Sequence, residues 1–532
     1  MNCQPGNNQH PGRVEAKILK TIKKTRGPTD TLTNVENGML ALTGLYHEER
    51  KPMNNRPHEG EFIGHFNPEL TISPDEYEPY VGQKKIEELK RLAEPLIEKG
   101  WVNINSTLIG GGVAEMLRSA IPLARGLGIN AGWYIIRGND NFFQVTKKFH
   151  NMLQGVNCPI TLDEIFGAYL DTIDVNAKNT FIASDMVVIH DPQPAAMVMN
   201  GVIYGNVLWR CHIDTSSPNQ SIWRFLLPYI NHYAGAIFTM PEFIGSDLTI
   251  PLYQIMPCID PRTEKNRHYT DSEALNILDP LLSEYAIDPE RPIIAAISRY
   301  DIHKNQHTIL QAFKKLRTVK KYDPSPYLIF LGNTAEDDPE GLSILMDLKK
   351  KAGDDPDVKF LVDVKNNDHV VGALMHIARG FVHVSTREGF GLVVSEALWQ
   401  STPVIGSRIG GITKQVLDNE TGYLVEPTDV DAIAAKMAQL LDAPDEAAHL
   451  GSQGREHVRK NFLLPELVRR YLILLRFYSG SNQELPEFRL NDLTYSETIN
   501  VVKARTMLNK TLSSQEQCTG NDCCKRHINA TP

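Results

Sequence analysis

At 532 residues, 42% of them hydrophobic, the chain is too long for one ordinary domain and long enough for two substantial cores. Its 55 Lys plus Arg stand against 64 Asp plus Glu, a formal net charge of -9, which argues against nucleic acid or another polyanion as partner and for a small-molecule substrate. The N-terminus lacks the apolar run of a signal peptide, and no stretch reaches the ~18 apolar residues of a membrane span, so the expectation is a soluble, cytoplasmic protein without membrane attachment.

Residues 1–55 are polar and rich in Asn, Gly, Pro and Thr, and read as a disordered extension. Organised patterning starts near Tyr77, where Ile86, Leu89, Leu92, Leu96 and Ile97 make a helical stripe that stops at Gly100. A strand over 101–109 runs through Gly110, Gly111 and Gly112 into a helix over 113–125, and a second such unit covers 130–136 and 142–153. Strands over 186–190, 205–212 and 236–239, with helices over 176–181 and 220–233, continue an alternation that indicates a parallel sheet with helices on both faces. The turn-rich, charged stretch 257–291, with a helix near 271–278, connects to a second alternation. There strands over 292–297, 327–331, 358–362, 380–385 and 403–405 are interleaved with helices over 306–317, 342–352, 392–400 and 430–441. A last apolar helix spans 465–478, with Pro465 suited to its first turn and Gly480 to its stop. The expected organisation is two Rossmann-like α/β domains over 56–262 and 263–460, a helix within 461–480, and a largely disordered tail over 481–532.

The segment from Ser385 to Gly406 is the richest in chemistry, because it places Glu388 in a strand-to-helix loop and Glu396 in the early helix. Gly389 and Gly391, flanking Phe390, let backbone N–H groups approach an anion at the positive end of the helix dipole, an arrangement that suits a sugar joined to a phosphate. Just beyond the strand over 292–297, Arg299 and Lys304 offer two cations at the strand end where α/β folds bind ligands. The triple glycine ending in Gly111 and Gly112, before Val113, has neither dinucleotide-fingerprint nor P-loop spacing. His190 with Asp191, and His212 with Asp214, end two N-terminal strands, whereas His376 and His383 read as structural. The pairs Asp355/Asp357 and Asp429/Asp431 match a metal-holding Asp-x-Asp by letter but sit in acidic turns, so no obligatory metal is expected. The seven cysteines are scattered and read as reduced, and the adjacent Cys523 and Cys524 spoil a zinc spacing in the tail.

Glu388 and Glu396 together resemble the E-x7-E signature of retaining glycosyltransferases of family 4, and Arg299 and Lys304 match that family's Arg-x4-Lys element. The stretches from Gly110 to Leu117, His190 to Ala196, Arg210 to Asn219, Trp223 and Met240 to Phe243 are more specifically similar to the trehalose synthases of the glycosyltransferring type, over about residues 80–478. The resemblance implies a GT-B architecture with an N-terminal acceptor domain, a C-terminal nucleotide-sugar domain and a C-terminal helix crossing back. It implies glucosyl transfer from a nucleoside-diphosphate glucose to glucose, giving α,α-trehalose with retention and without an obligatory cofactor. Arg299 and Lys304 would hold the diphosphate, Glu388 the donor-sugar hydroxyls and Glu396 the ribose, with the backbone near 364–366 reading the base. His212 would lie near the transferred sugar, His190 and Asp191 near sugar hydroxyls, and the loop of Gly111, Gly112 and Val113 near the donor phosphate and acceptor. A retaining trehalose phosphorylase, a family-4 transferase with another acceptor, and a non-catalytic binding protein on the same fold stay open, as do monomer and homo-oligomer.

Overall fold

The computed structural model describes residues 64–65, 70–108, 111–178, 180–245, 247–333, 339–365 and 367–480. The extension over 1–55, the tail from 481, Gly110 and Asn366 lie outside these described residues.

The first sheet has seven strands: β1 Gly64–His65, β2 Gly100–Asn105, β3 Asn130–Ile135, β4 Ile182–His190, β5 Ile203–Arg210, β6 Gly235–Phe238 and β7 Leu252–Gln254. Their spatial order is β1-β3-β2-β4-β5-β6-β7, and all pairings are parallel except that of β1 with β3. Helices α1 Gln83–Ala93, α2 Gly112–Gly126, α3 Asp140–Leu153, α4 Asp171–Lys178 and α5 Gln220–Ile230 accompany it. The second sheet is wholly parallel, with β8 Ile293–Ile297, β9 Tyr327–Gly332, β10 Val358–Val362, β11 Gly380–His383, β12 Val404–Ser407 and β13 Gly422–Val425 in the order β10-β9-β8-β11-β12-β13. Its helices are α6 Asp271–Glu284, α7 Gln306–Val319, α8 Pro339–Ala352, α9 Asn367–Ile377, α10 Leu392–Trp399, α11 Val430–Asp442 and α12 Pro444–Asn461, followed by α13 Leu464–Tyr478. Every residue of β2, β8 and β9 is buried, which is why β8 and β9 read as continuous apolar runs, whereas β2 buries the polar Asn103 and Asn105. The architecture is α/β with two Rossmann-like domains.

Several boundaries differ from the pattern: β2 ends at Asn105 and not at 109, α5 ends at Ile230, α6 runs on to Glu284 and β11 ends at His383. The first stripe ends as an α-helix at Ala93 and tightens into a 3-10 turn over Glu94–Leu96, because Pro95 has no N–H to continue the ladder; Gly100 is the first residue of β2. The helix expected over 176–181 runs over Asp171–Lys178, and β4 starts at Ile182, since the strand carries an irregularity between Ala183 and Met186 that masks its period.

The chain crosses between the domains twice at one place. Outgoing Ile259 pairs with returning Leu463 in an isolated parallel bridge, with Ile259 N donating to Phe462 O at 2.9 Å and Leu464 N to Ile259 O at 2.9 Å. Helix α13 then lies on the first sheet, where Tyr471 stacks on Trp101 at 4.8 Å between centroids and Tyr478 meets Tyr253 through their hydroxyls at 2.8 Å. One apolar cluster runs through both domains and includes Trp101, Ile293, Phe381 and Leu474; each domain has a further core of its own. Among the described residues no helix is long and apolar enough to cross a membrane.

Candidate active site

In each sheet the winding reverses beside a central strand, between β2 and β4 in the first and between β8 and β11 in the second. Such switch points open a crevice at the carboxyl ends of the strands, and the two crevices share one cleft of about 570 Å³. The N-termini of α2 and α10 both reach it, through Gly112 and Val113 on one side and Leu392 and Val393 on the other. Each helix is preceded by a glycine in the left-handed region, Gly111 at φ 78° and Gly391 at φ 79°, and neither terminus has a side-chain cap. The cleft therefore faces two sets of free helix N–H groups, which favour an anion. The termini are close: a Cβ on Gly112 would stand 2.8 Å from Leu392 Cδ1.

The second domain brings its charged groups from two loops that are tied together. Thr386 N donates to His303 O at 2.8 Å, and Asn305 Nδ2 donates to Val384 O at 3.1 Å. Lys304 Nζ donates to Glu388 Oε2 at 2.6 Å, and His383 Nε2 lies 2.9 Å from the same oxygen. Burial alone would raise the Glu388 carboxyl, but the Lys304 charge and the His383 hydrogen bond hold it far below the usual carboxylate range. Glu388 is thus ionised at any working pH, with its side chain 11% exposed. Arg299 lines the cleft, is exposed, and has no ion-pair partner among the described residues.

Glu396, one turn into α10, is 4% exposed and pairs with Lys265, whose ammonium also reaches Glu115 of α2; both distances are 2.6 Å. Burial, then the nearby carboxylates of Glu115 and Asp368, push the Glu396 carboxyl up to about 7 against the pull of Lys265.

Across the cleft, His212 and His150 bring imidazoles of the N-terminal domain to the wall; His212 is set by the strand ends. Its backbone N–H donates to Asp191 Oδ1 at 2.8 Å, while Asp191 itself turns the chain in the left-handed region at φ 63°. His190 Nε2 lies 3.0 Å from Asn103 Oδ1 and His190 Nδ1 lies 2.9 Å from His212 Nε2. An amide oxygen only accepts, so His190 carries its proton on Nε2 and accepts at Nδ1 from His212 Nε2–H. Burial lowers both imidazoles, His190 to about 3, so both are neutral. Burial conversely pushes the Asp191 carboxyl up to about 7. Asp214 accepts from Ser216 N at 3.0 Å and faces Arg387 of the other domain at 3.5 Å.

Of the residues expected from the sequence, Gly111, Gly112, Val113, His212, Arg299, Lys304, Glu388, Gly389, Phe390, Gly391 and Glu396 line one cleft. His190, Asp191 and Asp214 stand behind it, supporting His212 and the domain contact. Gly389 has a further reason to be glycine, since a Cβ there would meet His212 O at 2.1 Å. His383, read as structural, is in fact the buried partner of Glu388. Lys265, Glu115, His150 and Arg387 also line the cleft without having been singled out; the charged run from Asp260 to Lys265 at the domain connection was the one available signal. Asp355 and Asp357 are taken up by Arg317, and Asp357 also by Arg291, while Asp429 caps α11 by accepting from Ala432 N.

Comparison with known proteins agrees with this architecture. A family model described as the N-terminal domain of trehalose synthase matches residues 103–245, and one for glycosyl transferases group 1 matches residues 281–457. The chain is 39% identical over 409 residues to the trehalose synthase of Pyrococcus horikoshii, covering 76% of this chain and 96% of that protein. It is 28% identical to a trehalose phosphorylase of Pleurotus pulmonarius, covering 80% of this chain but 64% of that one. An α,α-trehalose-phosphate synthase (UDP-forming) from Burkholderia vietnamiensis superposes with a TM-score of 0.58 at 14% identity, covering 73% of this chain and 99% of its own, a likeness of fold. The chain is a glycosyltransferase and belongs to the trehalose synthase family.

Proposed function

We propose that the enzyme transfers glucose from a nucleoside-diphosphate glucose to free glucose, forming α,α-trehalose with retention at the donor carbon. The observation that carries this reading is the pair of uncapped helix N-termini, α2 and α10, facing one cleft together with Arg299 and Lys304. That is four sources of positive potential for a diphosphate, and stabilising charge on a departing group is commonly the largest catalytic contribution. The chain order supports the rest of the donor. Glu388 precedes the turn and Glu396 lies one helical turn beyond it, so a carboxylate flanks each side of the phosphate cradle.

In this reading Arg299 and Lys304 hold the diphosphate, Glu388 accepts from donor-sugar hydroxyls and Glu396 from the ribose. His212, neutral, stands beside the transferred sugar, and His190 and Asp191 act by fixing its orientation. Helix termini and cations supply the positive charge in place of an obligatory metal. The 39% identity to the Pyrococcus horikoshii trehalose synthase, with 96% of that protein covered, against 28% and 64% for the phosphorylase, favours the synthase.

Purified protein with a panel of nucleoside-diphosphate glucoses and glucose should yield α,α-trehalose, with retention read from the anomeric configuration by NMR. Product from glucose 1-phosphate and glucose alone, with none from any nucleotide donor, would replace this reading with the phosphorylase.

A further inference from the structure

Lys265 lies in the connection between β7 and α6, yet its place is firmly set. Gln400 Nε2 donates to Lys265 O at 3.1 Å and Trp399 Nε1 to Asn266 O at 2.7 Å, which pins this stretch to the end of α10. From that anchor the ammonium reaches Glu396 Oε1 and Glu115 Oε1, each at 2.6 Å, with the Lys265 side chain 14% exposed. One cation thus joins carboxylates from both domains on the wall of the cleft. The ammonium lies against Oε1 of Glu396, and Glu396 itself lines the cleft.

A carboxylate as buried as Glu396 takes up a proton unless a cation is beside it. A protonated carboxyl donates as well as accepts, and matches a vicinal diol less well than a carboxylate does. We propose that Lys265 is a positioning residue for nucleotide recognition, favouring the ionised form of Glu396 and orienting it toward the ribose diol. This rests on the nucleotide-sugar reading. The charged groups facing Glu396 are Lys265 from the connection, Glu115 from α2 and Asp368 from α9. Lys265 is the single cation among those three. Without it the carboxyl titrates higher, and ribose recognition weakens around neutrality and returns as pH rises.

The test is calorimetric binding of ADP, UDP, GDP and TDP, with inorganic pyrophosphate as a ligand that lacks the ribose, to the full chain between pH 6 and 9. Lys265→Met should lose about tenfold or more in affinity for the nucleoside diphosphate near pH 7, the scale of a charge-assisted hydrogen bond, and regain part of it near pH 9. Its affinity for pyrophosphate should stay within about twofold. Lys265→Arg should restore most of the loss, and Glu115→Gln, which leaves the ammonium to Glu396 alone, should extend nucleotide binding to lower pH. Equal losses for nucleotide and pyrophosphate would make Lys265 merely structural, and unchanged nucleotide affinity in Lys265→Met would equally overturn the proposal. A wild type that binds pyrophosphate and no nucleoside diphosphate would remove the donor reading, and the role of Lys265 with it. The wild-type affinities report on that reading, and the ratio of variant to wild type reports on Lys265.

Discussion

Glu388 shows how a nearly buried carboxylate stays charged: Lys304 and His383 converge on the same oxygen, at 2.6 Å and 2.9 Å. Glu388→Gln keeps the shape and removes the charge, so turnover should fall by about a hundredfold or more, and the melting temperature should fall as well because Lys304 loses its buried partner, to be checked by steady-state kinetics beside a thermal melt of the folded variant. Arg299→Lys should be nearly as harmful as Arg299→Ala in kcat/KM for the donor, because an ammonium cannot hold two phosphate oxygens as a guanidinium does. Asp191 makes a prediction in pH. Its carboxyl is raised to about 7 in the fold from 3.8, so between those values the native protein retains a proton that the unfolded chain has released. Its contribution to stability therefore falls as pH rises through that window and stays low above it. Asn tolerates the left-handed backbone and can accept the same hydrogen bond, so Asp191→Asn should melt above the wild type at pH 8, with the gap closing toward pH 5. The residues that could be read from sequence, Arg299, Lys304, Glu388 and Glu396, owe this to local spacing along one loop or one turn. Lys265, Glu115 and His383 escaped because what gives each its role is a partner brought near by the fold.

Among elements, the loop after β11 does two jobs, reaching into the cleft and touching the opposite domain. Gly389→Ala would drive a Cβ into the backbone carbonyl of His212, which stands 2.1 Å from that position. Neither backbone can yield without parting the domains, so activity should fall far more than thermal stability, and small-angle scattering should report a more open particle. The alternation of strands and helices was legible because strands buried on both faces are unbroken apolar runs. Helix α12 was not predicted: Gly451 and Gly454 break its pattern on paper, yet they are where it packs closest, with a Cβ on Gly454 2.6 Å from Leu398 Cδ2 and one on Gly451 too close to Ser401 O. Helix α9 was missed for the opposite reason. Its run from Val370 to Met375 is buried throughout, so no polar face marks a helical period.

For the whole molecule, α13 decides that two sheets behave as one body, since it completes the core of the first domain from the far end of the second. Tyr471, 4% exposed and stacked on Trp101, is its central contact. Tyr471→Ala should cost about 3 kcal/mol, the scale of an emptied aromatic site, and lower the melting temperature with loss of both domains together. The same helix has a consequence for how the protein is made. Domains generally fold in the order they leave the ribosome, but here the face of the first sheet around Trp101 stays uncovered until residues 464–478 have been synthesised. The nascent N-terminal half must wait, that apolar face uncovered, through the translation of the entire second domain, and it is α13 that closes it.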